Sequence, residues 1–198
     1  MRPVPLSRIV VLLQIVTAAW GCTLGGRPTV DAPAPAAQVV ADEDEIPWAK
    51  DERLFVVVRQ SCRSLDVYAH GRRIRTYDAV FGLGGMRKRF QGDRRTPVGL
   101  YAVVGKRRHP RWQHLLLLDY PTPSERLAHE AAVRRGEIPR EGNGWVGPGS
   151  EIGIHGTDKP NLNRRGVDWT FGCVSVSQRA AYDLSRLLPV GTLVLITE

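Results

Sequence analysis

Cysteine is scarce in this chain: three among 198 residues, at positions 22, 62 and 173. An odd count leaves at least one thiol without an internal partner. No apolar run is long enough to span a bilayer; the longest, Ile9 to Ala19, falls well short. Internal repeats are absent. Basic helices, aromatic-interleaved RNA motifs and zinc-finger spacings are lacking too. The excess of 28 Lys and Arg over 20 Asp and Glu, a net charge of +8, therefore does not read as nucleic-acid binding. His109, His114, His129 and His155 together with the cysteines match no common zinc spacing, so neither metal nor cofactor is expected.

What is present begins with an export signal over residues 1–22. Arg2 and Arg8 give it a basic start, and "IVVLLQIVTAA" an uncharged apolar stretch. Gly21 and Cys22 end that stretch as a lipoprotein cleavage site does. Two outcomes stay open: lipidation of Cys22, which would anchor the chain to a membrane, or ordinary cleavage near Ala19. Either one sends the chain to the periplasm or cell envelope. Residues 23–51 are rich in Ala, Pro and acids, a composition that buries too little apolar surface to offset ordering, and read as a flexible linker. Residues 52–198 are the right length for one domain with its own core.

Within that domain, short apolar runs bounded by Gly and Pro predict a mainly β fold. "LFVVV" (54–58) and the segment 64–82, folded back at His70-Gly71, read as strands, as do "LYAVV", "LLLLD" (115–119) and the closing "VGTLVLI". Two short helices are predicted, over 124–135 and 177–188, the second stopped by Pro189. Residues 109–114 read as loop.

Two segments carry the chemistry. In "EIGIHGT" (151–157) strand alternation buries Ile152 and Ile154 and presents His155 on the other face, with Gly156 leaving room beside it. "DWTFGCVSVS" (168–177) places Cys173 behind Gly172, whose turn could aim backbone N–H groups at an oxyanion. A thiol attacks only as thiolate, and a free cysteine is only a few per cent ionised at neutral pH. A shift of about two units by His155, worth roughly 2.7 kcal/mol, would ionise most of it. A disulfide between Cys62 and Cys173 is the inert alternative.

The pairing of "IHGT" with a downstream "T-x-G-C", followed by a short helix and "LPVGTLVLI", resembles the L,D-transpeptidase catalytic domain, also called YkuD-type. "LDVYAHGRRI", "GDRRTPVGLY" and "LDYP" agree in order, so the resemblance covers about residues 52–198. It implies a β-sandwich-like fold and a cysteine acyltransferase acting on peptidoglycan stem peptides, commonly at the bond between meso-diaminopimelate and D-alanine. By that likeness Cys173 forms a thioester, His155 is base and then acid, and the Gly156 carbonyl orients the imidazole. Thr170, Phe171 and Gly172 are read as lying beside the substrate, Trp169 as either walling a substrate groove or packing against the sheet, and Thr157 as a hydrogen-bond donor near the site. An acceptor amine gives a crosslink or a protein attachment.

The common signature has His before the glycine and Arg two residues after the cysteine, whereas this chain has Phe171 and Ser175. "DWTFGCVSVS" resembles instead a subgroup reading roughly D-W-T-x-G-C-x-A-V-S. Some relatives hydrolyse rather than transfer. A hydrolase of the same Cys-His chemistry and a catalytically silent wall-binding module therefore remain the alternatives to transpeptidation.

Overall fold

The computed structural model describes residues 54–198, so the signal, Cys22 and the linker lie outside the described residues. Chain order begins with β1 (Phe55–Arg59), β2 (Ser64–Ala69) and β3 (Arg72–Asp78). β2 and β3 form the hairpin expected from His70-Gly71, and both turn residues have positive φ, 51° and 79°. That is the geometry of a two-residue turn whose twist matches its strands.

Next come β4 (Gly99–His109), β5 (Gln113–Leu118), α1 (Pro123–Arg134), and the two-residue strands β6 (Arg140–Glu141) and β7 (Gly144–Trp145), which pair only with each other. β8 (Gly153–His155), α2 (Pro160–Arg164), β9 (Val174–Ser175), α3 (Gln178–Leu187) and β10 (Leu193–Thr197) complete the order.

Eight strands make one mixed sheet in the order β3-β2-β1-β10-β4-β5-β8-β9. The long strand β4 joins its halves: Gly99 to Ala102 pair with β10, while Val103 to His109 pair with β5 after a shift of register between Val103 and Gly105. Such a bulge bends a strand and increases its twist. The larger core draws Val56 and Leu65 from one half and Leu116 and Ile154 from the other, and Phe55, Val57 and Tyr68 form a smaller second cluster. The fold is mainly β as expected, with its strands joined through β4 into one large mixed sheet.

α3 holds the functional edge in place. Ser177 caps it, its hydroxyl accepting the Ala180 N–H at 3.1 Å, which satisfies one of the donors that every helix start leaves open. Ala180, Ala181 and Leu184 are buried and pack over β5 and β8. A leucine so enclosed contributes about 1.5–3 kcal/mol by removal from water. There are three helices among the described residues rather than two. α2 was missed because five residues, PNLNR, are too few to show a helical period. The expected loop at 109–114 is instead the end of β4, a tight turn and the start of β5.

Candidate active site

β8 and β9 run parallel, with Ile154 opposite Val174 and His155 opposite Ser175. Cys173 immediately precedes this ladder, two residues from Ser175. Its sulfur lies at the start of β8, 3.5 Å from the Glu151 carbonyl oxygen. β9 is the last strand of the sheet, and its outer side is closed by Val80, which exchanges backbone hydrogen bonds with Ser175 at 2.8 and 2.9 Å.

His155 is 1% exposed, as enclosed as the isoleucine before it. The Trp112 ring stacks on the imidazole at 4.0 Å and 16°, and His109 stacks in turn on Trp112 at 4.0 Å. Trp169 meets the imidazole edge-on at 5.8 Å. Nδ1 lies 2.6 Å from the Gly156 carbonyl oxygen, an acceptor only, so Nδ1 carries the proton and donates it there. The unprotonated nitrogen is then Nε2. Burial pulls the imidazole down to about 4, and the Gly156 hydrogen bond offsets only part of that.

Gly156 is required by close approach. A Cβ there would lie 2.4 Å from the Trp112 carbonyl oxygen and 2.2 Å from Gln178 Oε1.

Cys173 is a free thiol, so the inert Cys62–Cys173 pairing is overturned. Its Sγ donates to the Glu151 carbonyl at 3.5 Å. Burial pushes the thiol up to about 11, against a lowering pull from the Gly153 N–H. The expected depression of the thiol by His155 is therefore corrected. At neutral pH the resting pair is a protonated sulfur and a neutral imidazole.

The loop before the thiol is braced internally. Thr170, 2% exposed, donates its hydroxyl to the Cys173 carbonyl at 2.7 Å and accepts the Gly172 N–H at 3.2 Å. Of the backbone N–H groups in this turn, that of Gly172 is thus taken by Thr170. Gly172 has φ +132°, and a Cβ on it would lie 2.7 Å from the Arg95 carbonyl oxygen. Phe171 is 71% exposed with the Arg94 guanidinium 5.2 Å from its ring centre. It borders a cavity of about 320 Å³ that is also lined by Lys88, Gln91, Gly149, Glu151 and Ile152.

Thr157 lies in the loop after β8 and is buried. Its hydroxyl accepts the Lys159 N–H at 2.8 Å and its carbonyl accepts Gln178 Nε2 at 2.7 Å, which ties the loop after β8 to α3. Trp169 packs inward, 7% exposed. Sequence reasoning missed Trp112, Asn163 and Gln178. Trp112 was hidden by the loop assigned to 109–114. The signal that could have found it is an aromatic just ahead of the "QHLLLL" strand, which pairs with β8.

The sheet edge, the free thiol and the stacked imidazole together describe a cysteine–histidine site on a mainly β domain. Residues 52–196 match the YkuD family, the L,D-transpeptidase catalytic domain, and the chain belongs to that family.

Among solved structures the fold is similar to the helical cell shape determining protein Pgp2 of Campylobacter jejuni, at 19% identity and a TM-score of 0.53, over 73% of this chain and 47% of that one. An L,D-transpeptidase of Xylanimonas cellulosilytica DSM 15894 is 21% identical with a TM-score of 0.47, over 73% of this chain and 60% of that one. An L,D-transpeptidase of Mycobacterium tuberculosis H37Rv is 15% identical with a TM-score of 0.48, over 74% and 58%. The chain thus spans only 47% to 60% of the lengths of these proteins. No curated protein sequence matches the chain.

Proposed function

We propose that the chain is a peptidoglycan L,D-transpeptidase in which Cys173 is the nucleophile and His155 the proton carrier. The observation that carries this reading is the register of β8 on β9, which sets the strand of a buried, neutral imidazole beside a free thiol. Membership of the family supports it.

Because both groups rest uncharged, the proton moves during attack rather than before it. Nε2 of His155 takes the thiol proton as sulfur adds to the carbonyl carbon of the acyl donor's scissile amide. The tetrahedral adduct collapses with loss of the C–N bond, and the imidazolium returns the proton to the departing amine. A thioester on Cys173 remains. An acceptor amine then adds to it, loses a proton to His155, and leaves as the new amide while the sulfur recovers its proton. Water in place of the amine would give hydrolysis.

The substrate is a stem peptide of the wall, and the basic surface suits its carboxylates. The export signal read at residues 1–22 places this chemistry in the periplasm or cell envelope, and a lipidated Cys22 would hold it at a membrane.

The test is mass spectrometry of purified wall fragments incubated with wild type and with Cys173→Ala. Crosslinked dimers formed by wild type alone support transfer. Shortened stems alone assign hydrolysis. No change with either protein, and no mass increment on Cys173 from a carbapenem, leaves a silent wall-binding module.

A further inference from the structure

Asn163 sits in the last turn of α2, half-buried, between Pro160 and Gly166. Its backbone is fastened where the helix ends: the Gly166 N–H donates to the Asn163 carbonyl at 3.0 Å and Val167 N–H to the Leu162 carbonyl at 2.9 Å. A side chain on so short and well-tied a turn has few ways to move.

Both ends of the Asn163 amide are used. Oδ1 accepts the Trp169 indole N–H at 2.9 Å, and Nδ2 donates to the carbonyl and hydroxyl oxygens of Ser175, each at 3.2 Å. The orientation of the amide follows from chemistry, since an indole nitrogen can only donate and a carbonyl can only accept.

Each partner of Asn163 touches the imidazole or its anchor. Trp169 lies edge-on to the His155 ring. Ser175 is directly opposite His155 in the ladder, and its hydroxyl reaches the Gly156 carbonyl oxygen at 3.5 Å, the atom that accepts the His155 Nδ1 proton. With an Asn163 N–H on its oxygen, the Ser175 hydroxyl has its own proton free to point at that carbonyl.

Resting on the proposed function, we infer that Asn163 is a positioning residue: one amide fixes the ring orientation through Trp169 and supports the Nδ1–H tautomer through Ser175 and Gly156, keeping the Nε2 lone pair on the side of the thiol. The uncharged serine that follows the nucleophile by two residues is then a link to the histidine. An arginine at that buried, fully enclosed position would break it.

The experiment compares full-length wild type with Asn163→Leu, Asn163→Asp and Ser175→Ala. It follows carbapenem acylation of Cys173 by intact mass across pH and reads the His155 ring by nitrogen NMR. Asn163→Leu is expected to lose about 10- to 100-fold in acylation rate, as misplacement of a reacting group costs, and to show both ring tautomers where wild type shows one. Asn163→Asp keeps the acceptor for Trp169 but loses the donor to Ser175. Its new negative charge is expected to move the acid limb of the rate upward by about one pH unit. Ser175→Ala is expected to fall between Leu and wild type. If Asn163→Leu does not fold, the other two variants carry the test.

Unchanged rates, a single wild-type tautomer and an unmoved acid limb in the variants would overturn the inference. Failure of wild type to be acylated at all sinks the proposed function instead, and the tautomer readout still decides the role of Asn163.

Discussion

Nδ1 of His155 donates to the carbonyl of Gly156, the next residue along the chain, at 2.6 Å. A hydrogen bond so short and local favours the protonated ring, yet enclosure under Trp112 outweighs it and holds the imidazole at about 4. The folded value lies below the ordinary 6.5, so the fold prefers the neutral ring. That preference is fully present above pH about 6.5 and is lost as pH falls toward 4, amounting to roughly 3 kcal/mol over the window. Denaturation midpoints of wild type should drop across this range, and His155→Phe should remove much of the drop. Parallel curves for the two proteins would refute the assignment.

The thiol provides a second titration. With Cys173 held near 11, alkylation by iodoacetamide should still be climbing above pH 10, well past the range of an ordinary cysteine. At pH 8 its rate should be about 100-fold below that of a cysteine in an unfolded peptide, the factor that two units imply. A rate plateau already reached at pH 7 would show a preformed thiolate and rule out proton transfer concerted with attack.

Gly156→Ala drives a methyl group against the Trp112 carbonyl and Gln178. Backbone cannot yield as a flexible side chain can, so a loss of about 1–3 kcal/mol is expected. Acylation should fall with it, since β8 must shift to accept the methyl. A variant with wild-type melting temperature and rate would contradict the close approach.

Lys88 and Asp93 form an ion pair beside the cavity at 2.8 Å, their side chains only 4% and 3% exposed. Burial alone would raise the Asp93 carboxyl, but N–H donors from Arg89, Arg95 and Phe90 together with Lys88 outweigh it and hold it below the usual range. Asp93→Ala strands a buried ammonium and should cost roughly 3–5 kcal/mol. The double change Lys88→Met, Asp93→Leu should cost less than Asp93→Ala alone. The reverse order in chemical denaturation would discount the pair.

Much of the architecture was legible because the strands alternate cleanly and punctuation marks their ends. His70-Gly71 announced the hairpin, and the apolar face of residues 180–188 together with Pro189 announced α3 within a residue at each end. The site was legible as two motifs, one ending in a strand at His155 and one entering a strand after Cys173. Its electrostatics were not, because burial is a property of the assembled fold: nothing in "EIGIHGT" reveals that Trp112 covers the ring. A glycine turn exposes backbone donors in general, and nothing in the sequence shows that Thr170, two residues away, captures the Gly172 N–H. α2 gave no periodic signal, and so Asn163 stayed invisible until its partners were in place.

β10 lies between β1 and β4, and Thr197 meets Val58 from 139 residues further along the chain. During synthesis β1 and β4 therefore wait with open edges until the closing strand emerges, a topology in which distant pairing slows folding. Any delay in that insertion leaves both edges unsealed and open to pairing with another copy of the chain.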